Sequence, residues 1–235
     1  MIKLEHVVLA SPEQMEFIIE GMRNPMNSHD RSDSEMLYGD PYCAPEDFKV
    51  GNNDRSLMQR LANAGTDHRK FMRMMPVYVR ITAPLYWWKE FDTYKVGTVT
   101  NSCSTMHKIQ EKEFTLEDFS HEHLINMFEE PLPYSSNEYY CCNGIWALEQ
   151  TIDLLNCFRD NYLKTKDKKY WWNMIQLLPS SYNQTRNVMM NYEVLANIYK
   201  SRRNHKLNEW RDLCAWIETL PYHELITGEI DEEND

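Results

Sequence analysis

The stretch that most constrains this chain is residues 68–107, HRKFMRMMPVYVRITAPLYWWKEFDTYKVGTVTNSCSTMH. Val77, Val79 and Ile81 alternate, the period of a strand with one buried face. Thr82-Ala83-Pro84 breaks the run, and Pro84 suits the first turn of a helix over residues 85–95. Residues 98–107 are dense in hydroxyl, amide and thiol groups, which have little reason to sit in a core. The segment is therefore expected to cross the interior and deliver a polar loop to a ligand site.

Composition narrows the ligand. The chain has 235 residues, 42% of them hydrophobic and 12% aromatic, enough for one large domain or a compact two-lobed one. Only seven glycines occur, and neither GxGxxG nor GxxxxGK[ST] is present, so the usual dinucleotide and phosphate loops lack their mechanism. The formal charge is −11, which repels a long phosphate backbone, while a single nucleotide needs only a few local cations. The six cysteines form no CxxC, and the adjacent Cys141 and Cys142 make a poor disulfide framework. The start, MIKLEHVVLASPEQ, carries Glu5 and His6 inside its apolar run, so no signal peptide is expected. No run of about 18 apolar residues predicts a membrane span. The expectation is a reducing cytoplasm with free thiols.

Around the central segment the chain reads as follows. Residues 1–10 alternate loosely, as an edge strand would. Ser11, Pro12 and Glu13 open a helix whose apolar face is Met15, Ile18, Ile19 and Met22. Residues 24–50 predict an irregular excursion, long enough to be functional or mobile. Asp54 is read as the cap of the next helix, with Gly65 as its stop. A short helix is expected from Thr115 to about residue 129, and a connector from Pro131 to Asn143. Ile145, Leu148, Ile152, Leu155 and Tyr162 predict one long helix over 144–164. Asp167 caps a second up to Pro179. A third is expected over 186–201 and a fourth over 203–219. The sum is α+β and helix-dominated, with a small mixed or antiparallel sheet from the first 110 residues. We expect one domain over 1–227 and an acidic disordered tail over 228–235.

Local chemistry taken alone names no reaction. Cys103 and His107 could form a nucleophile pair. His121, Glu122 and His123 could seed a metal site, but no third element of a zinc motif follows. Arg202, Arg203, His205 and Arg211 form the densest basic run, and at most one of the adjacent arginines can point inward.

Two stretches together resemble the flavin-dependent thymidylate synthases. That family has a helix ending in Gly-His, a strand, and then AP…RQ…RHRxxSxNExSxRY. Here His68 takes the Gly-His position, and residues 81–84 (ITAP) take the strand end. Lys89, Glu90, Thr93, Tyr94, Lys95, Thr98, Asn101, Cys103 and Thr105 follow. The second family stretch is LP, then twelve residues, then NARSLxNFLxLRxxxHAQxEIR. Here Leu178-Pro179 is followed twelve residues later by Asn191, and Leu195, Asn197 and Arg202 fall on the matching positions. His205, Glu209 and Arg211 match its tail with one residue deleted. The resemblance extends over about 50–215.

It implies FAD as cofactor, with methylenetetrahydrofolate and NADPH as co-substrates. It also implies reductive methylation, or a related one-carbon transfer, on a pyrimidine nucleotide such as dUMP. Family sites are built from several chains of a homotetramer, so the same is expected here. By the resemblance, Arg202 faces the pyrimidine ring and is the catalytic candidate. His68, Tyr94, Lys95, Asn191 and Asn197 fall on flavin positions. Lys89, Glu90, Thr98, Asn101, Cys103, Thr105 and Arg202 fall on substrate positions. The departures are concentrated at the phosphate end. The family's RHR reads Thr93-Tyr94-Lys95, its RQ reads Lys89-Glu90, Ile175 replaces a phosphate-binding Arg, and Glu193 stands for the Arg of NAR. A charge-assisted hydrogen bond to the phosphate contributes roughly 1.5–3 kcal/mol, so dUMP affinity should be low unless other cations replace these arginines. The alternative is a nucleotide-binding or interaction protein that kept the fold and lost catalysis. A third reading is an enzyme without flavin that uses Cys103 as nucleophile.

Overall fold

Ser11 sets the first element. Its hydroxyl accepts from Gln14 N–H while the Gln14 side chain takes Ser11 N–H, a capping box with Pro12 just inside. The helix that follows, α1 (Pro12–Arg23), buries Met15, Ile18, Ile19 and Met22, the face its spacing predicts. The computed structural model describes residues 1–39, 43–126 and 143–228. The connector expected from Pro131 and the acidic tail therefore lie outside the described residues, except for Asn143 and Gly228.

Before α1 runs strand β1 (Lys3–Val8). The 24–50 excursion includes, among its described residues, regular structure that its composition does not predict. It holds two 3-10 turns, Asn24–Met26 and His29–Arg31, and an antiparallel hairpin of β2 (Glu35–Leu37) and β3 (Asp47–Lys49). Helix α2 (Asn52–Asn63) is capped by Gly51, not Asp54. Asp54 is one turn in and fully buried, where its carboxylate accepts from Arg23, Ser32 and Ser34.

Strand β4 (Pro76–Pro84) buries Val77, Val79, Ile81 and Ala83 on one face, as the alternation predicts. Helix α3 (Leu85–Phe91) is shorter than expected at its C-terminal end, and Pro84 is its N-cap. Part of the polar loop is itself a strand, β5 (Val99–Ser102). Over the described part of the helix expected from Thr115, the helical structure is the 3-10 turn Leu116–Asp118, which Asp118 closes by accepting from Thr115. Helices α4 (Gly144–Thr165) and α5 (Lys168–Leu177) stand where expected, with Asn143 and Asp167 as caps.

The largest correction is over 183–202. The apolar spacing predicts a single helix over 186–201. The chain instead makes strand β6 (Asn183–Asn191), then helix α6 (Tyr192–Arg202). Gln184, Val188 and Met190 are buried on the strand, a period of two that merges into the helical spacing of Val194, Leu195 and Ile198. The last helices are α7 (Asn208–Ile217), shorter than the 203–219 expected, and α8 (Glu224–Thr227).

The sheet has the order β1-β4-β6-β5, so it is not confined to the first 110 residues. β4 and β6 are antiparallel. Tyr192 N–H donates to Met75 O, Thr82 pairs with Thr185, and Leu85 N–H donates to Tyr182 O, one number falling as the other rises.

The chain divides into two compact units. One comprises Met1–Lys3, Thr82–Asp92 and Ser102–Arg186. Its core includes Phe114, Phe119, Leu148, Ile152, Leu155 and Met174, mostly on α4, α5 and the turn before them. The other comprises Leu4–Ile81, Thr93–Asn101 and the chain from Asn187 onward. There α6, α7 and α8 bury Leu195, Ile198, Trp210, Leu213 and Ile217.

Candidate functional site

Eight of the expected site residues belong to the second unit: His68, Tyr94, Lys95, Thr98, Asn101, Asn191, Asn197 and Arg202. Helix α6 is the element that organises the site. Asn191 is its N-cap, the side-chain oxygen accepting Val194 N–H at 3.0 Å. The loop 93–98 passes close by. A Cβ added to Gly97, whose φ is +77°, would lie 3.0 Å from Asn191 Nδ2 and 3.1 Å from Val194 Cγ2. Only glycine lets the backbone approach the amide there. Next in the loop, Thr98 Oγ1 is buried with no hydrogen-bond partner among the described residues.

At the C-terminal end of α6, Arg202 donates from Nε to Tyr94 Oη at 3.0 Å. Its guanidinium stands 4.6 Å from the Trp210 ring centre and 5.8 Å from that of Tyr94. Cation–π contact and the hydroxyl fix the plane of the guanidinium. Arg203 is exposed, so one of the adjacent pair faces inward, as helical geometry demands.

The second position of α6 carries Glu193, where the family motif has an arginine. Its carboxylate takes Arg69 Nε at 3.1 Å and Arg73 Nη2 at 3.2 Å, with Arg73 Nε also bound. Arg69 Nη2 reaches Asn197 Oδ1 at 3.1 Å. The hydrogen bond from Arg73 holds the Glu193 carboxyl below its ordinary range; burial pulls the other way, and Arg69 adds to the lowering. Arg73 is also under the charge of Asp67, so the two guanidiniums stand against two carboxylates. Arg69 and Arg73 are thus cations of the site that motif spacing does not reveal. The one signal in the sequence is their place one and five residues after His68.

His68 and Lys95 are exposed. Asn101, on β5, lines a concavity of about 480 Å³ over one sheet face, with His6, Tyr78, Arg80, Val99 and Asn187.

The other four expected residues, Lys89, Glu90, Cys103 and Thr105, belong to the first unit. Cys103 is exposed and tied by its backbone: its N–H donates to Thr185 O, and its carbonyl accepts from Gln184 Nε2 at 2.8 Å. Among the described residues no hydrogen bond links Cys103 to His107, whose N–H donates to Ser104 Oγ. Among the described residues no base is hydrogen-bonded to the thiol, as the activated pair of a Cys103 nucleophile would require. Gln184 Oε1 accepts from Arg186, which binds Asp92 at 2.6 Å and lies 4.2 Å over the Trp88 ring. Lys89 is exposed on α3 and Thr105 lies in the turn that follows β5. Glu122 is taken up by the N-terminal ammonium at 2.9 Å. No cluster of metal-ligating residues occurs among the described residues.

No protein-family model matches the sequence, and no curated protein matches it. Solved structures do match in fold. The chain is similar to thymidylate synthase X (ThyX) from Helicobacter pylori, solved with FAD and dUMP. The TM-score is 0.61 and the identity 18%, over 97% of this chain and 96% of that one. A second structure of the same enzyme, described as flavin dependent thymidylate synthase with FAD and dUMP, gives 0.60 and 17%, over 97% of each chain. The UMP/dUMP methylase PolB from Streptomyces cacaoi, bound with 5-Br dUMP, gives 0.61 and 14%, over 97% and 95%. At such identities the likeness is one of fold, and the fold here is that of ThyX.

Proposed function

We propose that this chain binds a pyrimidine nucleotide together with FAD and carries out a reductive methylation, or a related one-carbon transfer, on the pyrimidine. The observation that carries the reading is the Arg202 cluster. It pairs a guanidinium of fixed orientation with the fold of proteins solved with dUMP or a brominated UMP/dUMP analogue. An oriented cation beside a ring carbonyl binds it and stabilises negative charge that develops there. Thr98 has a buried hydroxyl free to donate, because no group among the described residues takes it.

The residues fit a flavin nucleotide by the chemistry of their donors. Asn191 and Asn197 offer side-chain amides. Arg69 and Arg73 set two guanidiniums beside Glu193, N–H donors for part of a diphosphate. When bound and reduced by NADPH, the flavin would supply the hydride, and the chain's part is to position both rings and keep water from them. Methylenetetrahydrofolate and NADPH enter this proposal as one-carbon donor and reductant, and a homotetramer as the assembly.

One observation favours a second reading, binding without catalysis. Arg69 and Arg73 are spent on Glu193, so the phosphate end has less free charge than the proposed reaction needs. A two-part test separates the readings. Protein loaded with FAD and then desalted keeps the flavin absorption band under the first. With dUMP, the folate and a reductant it gives a methylated pyrimidine by mass spectrometry. Protein that stays colourless and leaves the nucleotide unchanged sinks the flavoenzyme.

A further inference from the structure

Away from that site, the end of α1, the turn His29–Arg31 and one side of α2 enclose a polar concavity of about 610 Å³. Three guanidiniums line it, those of Arg23, Arg31 and Arg60, against one carboxylate, Asp30. This local excess stands in a chain whose formal charge is −11.

Arg23 is the built part. Its side chain is only 4% exposed. Nε donates to Asp54 Oδ1 at 2.5 Å, and Nη1 to Ser28 O and Oγ at 3.2 and 3.3 Å. Nη2 has no acceptor among the described residues, although a buried guanidinium normally spends all five of its N–H groups. Arg31 and Arg60 are exposed and make no ion pair among the described residues. The hydroxyl of Ser56 adds a neutral donor to the lining. Asp54 holds the rim in place: it also accepts from Ser32 Oγ at 2.7 Å, Ser34 Oγ at 2.6 Å, and the N–H groups of Asp33 and Ser34. Asp54 behind Arg23 and Asp33 at the start of α2 balance the wider shell, while the lining itself carries three guanidiniums and one carboxylate.

We propose that this concavity is a binding site for a small oxyanion of the phosphate class, taken by Arg23 Nη2 at its base and by Arg31 and Arg60 at its rim. Guanidiniums match tetrahedral oxyanions through paired N–H groups. The ligand is free phosphate or the phosphate group of a small ester, which present the same oxygens.

The test is calorimetric titration of the full chain at constant ionic strength, with inorganic phosphate and with ribose 5-phosphate in separate arms. One saturable site is expected in at least one arm. Binding of phosphate assigns the free ion, and binding of the sugar phosphate alone assigns an ester. Arg31→Ala/Arg60→Ala should weaken it by about tenfold or more. Both side chains are exposed and outside any ion pair among the described residues, so the variant should keep the wild-type circular dichroism. Arg60→Lys, which keeps the charge, should restore part of the affinity when paired with native Arg31. Arg69→Ala/Arg73→Ala should leave this binding unchanged, which separates it from the proposed flavin site. The proposal is overturned if neither probe binds in the millimolar range. It is also overturned if binding survives Arg31→Ala/Arg60→Ala, or is lost with Arg69 and Arg73 instead.

Discussion

Single residues decide whether this fold can still hold a nucleotide. Glu193 stands where the family motif has an arginine, and the structure pairs it with Arg69 and Arg73. Glu193→Gln removes their partner, so FAD should bind more tightly and with a steeper salt dependence, measured by flavin fluorescence quenching. The carboxyl is held below its ordinary 4.5, so its contribution to stability is present above that pH and lost as pH falls through the depressed folded value. Arg202→Ala should abolish nucleotide binding, whereas Arg202→Lys should rescue little, because an ammonium cannot reproduce the plane held by Trp210 and Tyr94. Cysteines give an independent check. Cys214 is buried and its thiol is pushed up to about 11, burial being the larger cause, while Cys43, Cys103 and Cys157 are exposed. Among these four, only Cys214 should resist thiol labelling until the protein is unfolded.

Whole elements are legible where their signals are local. The capping box at Ser11, the alternation of Val77, Val79 and Ile81 and the spacing along α4 each need only a few neighbouring residues. β6 is not legible, because its partner, β4, lies about a hundred residues earlier and its buried positions run straight into helical spacing. Asp54 misleads for a similar reason. Near a helix start it looks like a cap, and its actual partners, Arg23, Ser32 and Ser34, come from earlier in the chain. The same long separation hides Arg69 and Arg73, whose partner Glu193 is 120 residues or more away. Asp54→Asn leaves a buried guanidinium without its counter-ion. It should cost about 3–5 kcal/mol, measured by denaturant unfolding, and loosen the hairpin of β2 and β3. In α4, Leu155→Ala removes a fully buried side chain and should cost about 2–5 kcal/mol.

At the scale of the molecule, the chain has the fold of ThyX and PolB, while the positions to which the family resemblance assigns phosphate contacts carry different residues. Arg202, Asn191 and Asn197 follow from motif spacing, and the structure gives each a defined hydrogen-bonding role. At Gly97 the chain passes Asn191 and Val194 of α6, and Thr98, the first residue of the polar loop, keeps a buried hydroxyl with no partner among the described residues. Rescue of a thymidine auxotroph is expected to fail even if flavin binds, because without the motif's arginines dUMP binds weakly and fills the site only at the high concentrations of an assay in vitro. The most direct measurement is thermal unfolding of the full chain with FAD, with dUMP, and with both. FAD alone should raise the midpoint, and dUMP should raise it further when FAD is present, by mass action on the folded state. A midpoint unmoved by either ligand, alone or together, would contradict a flavin- and nucleotide-binding role.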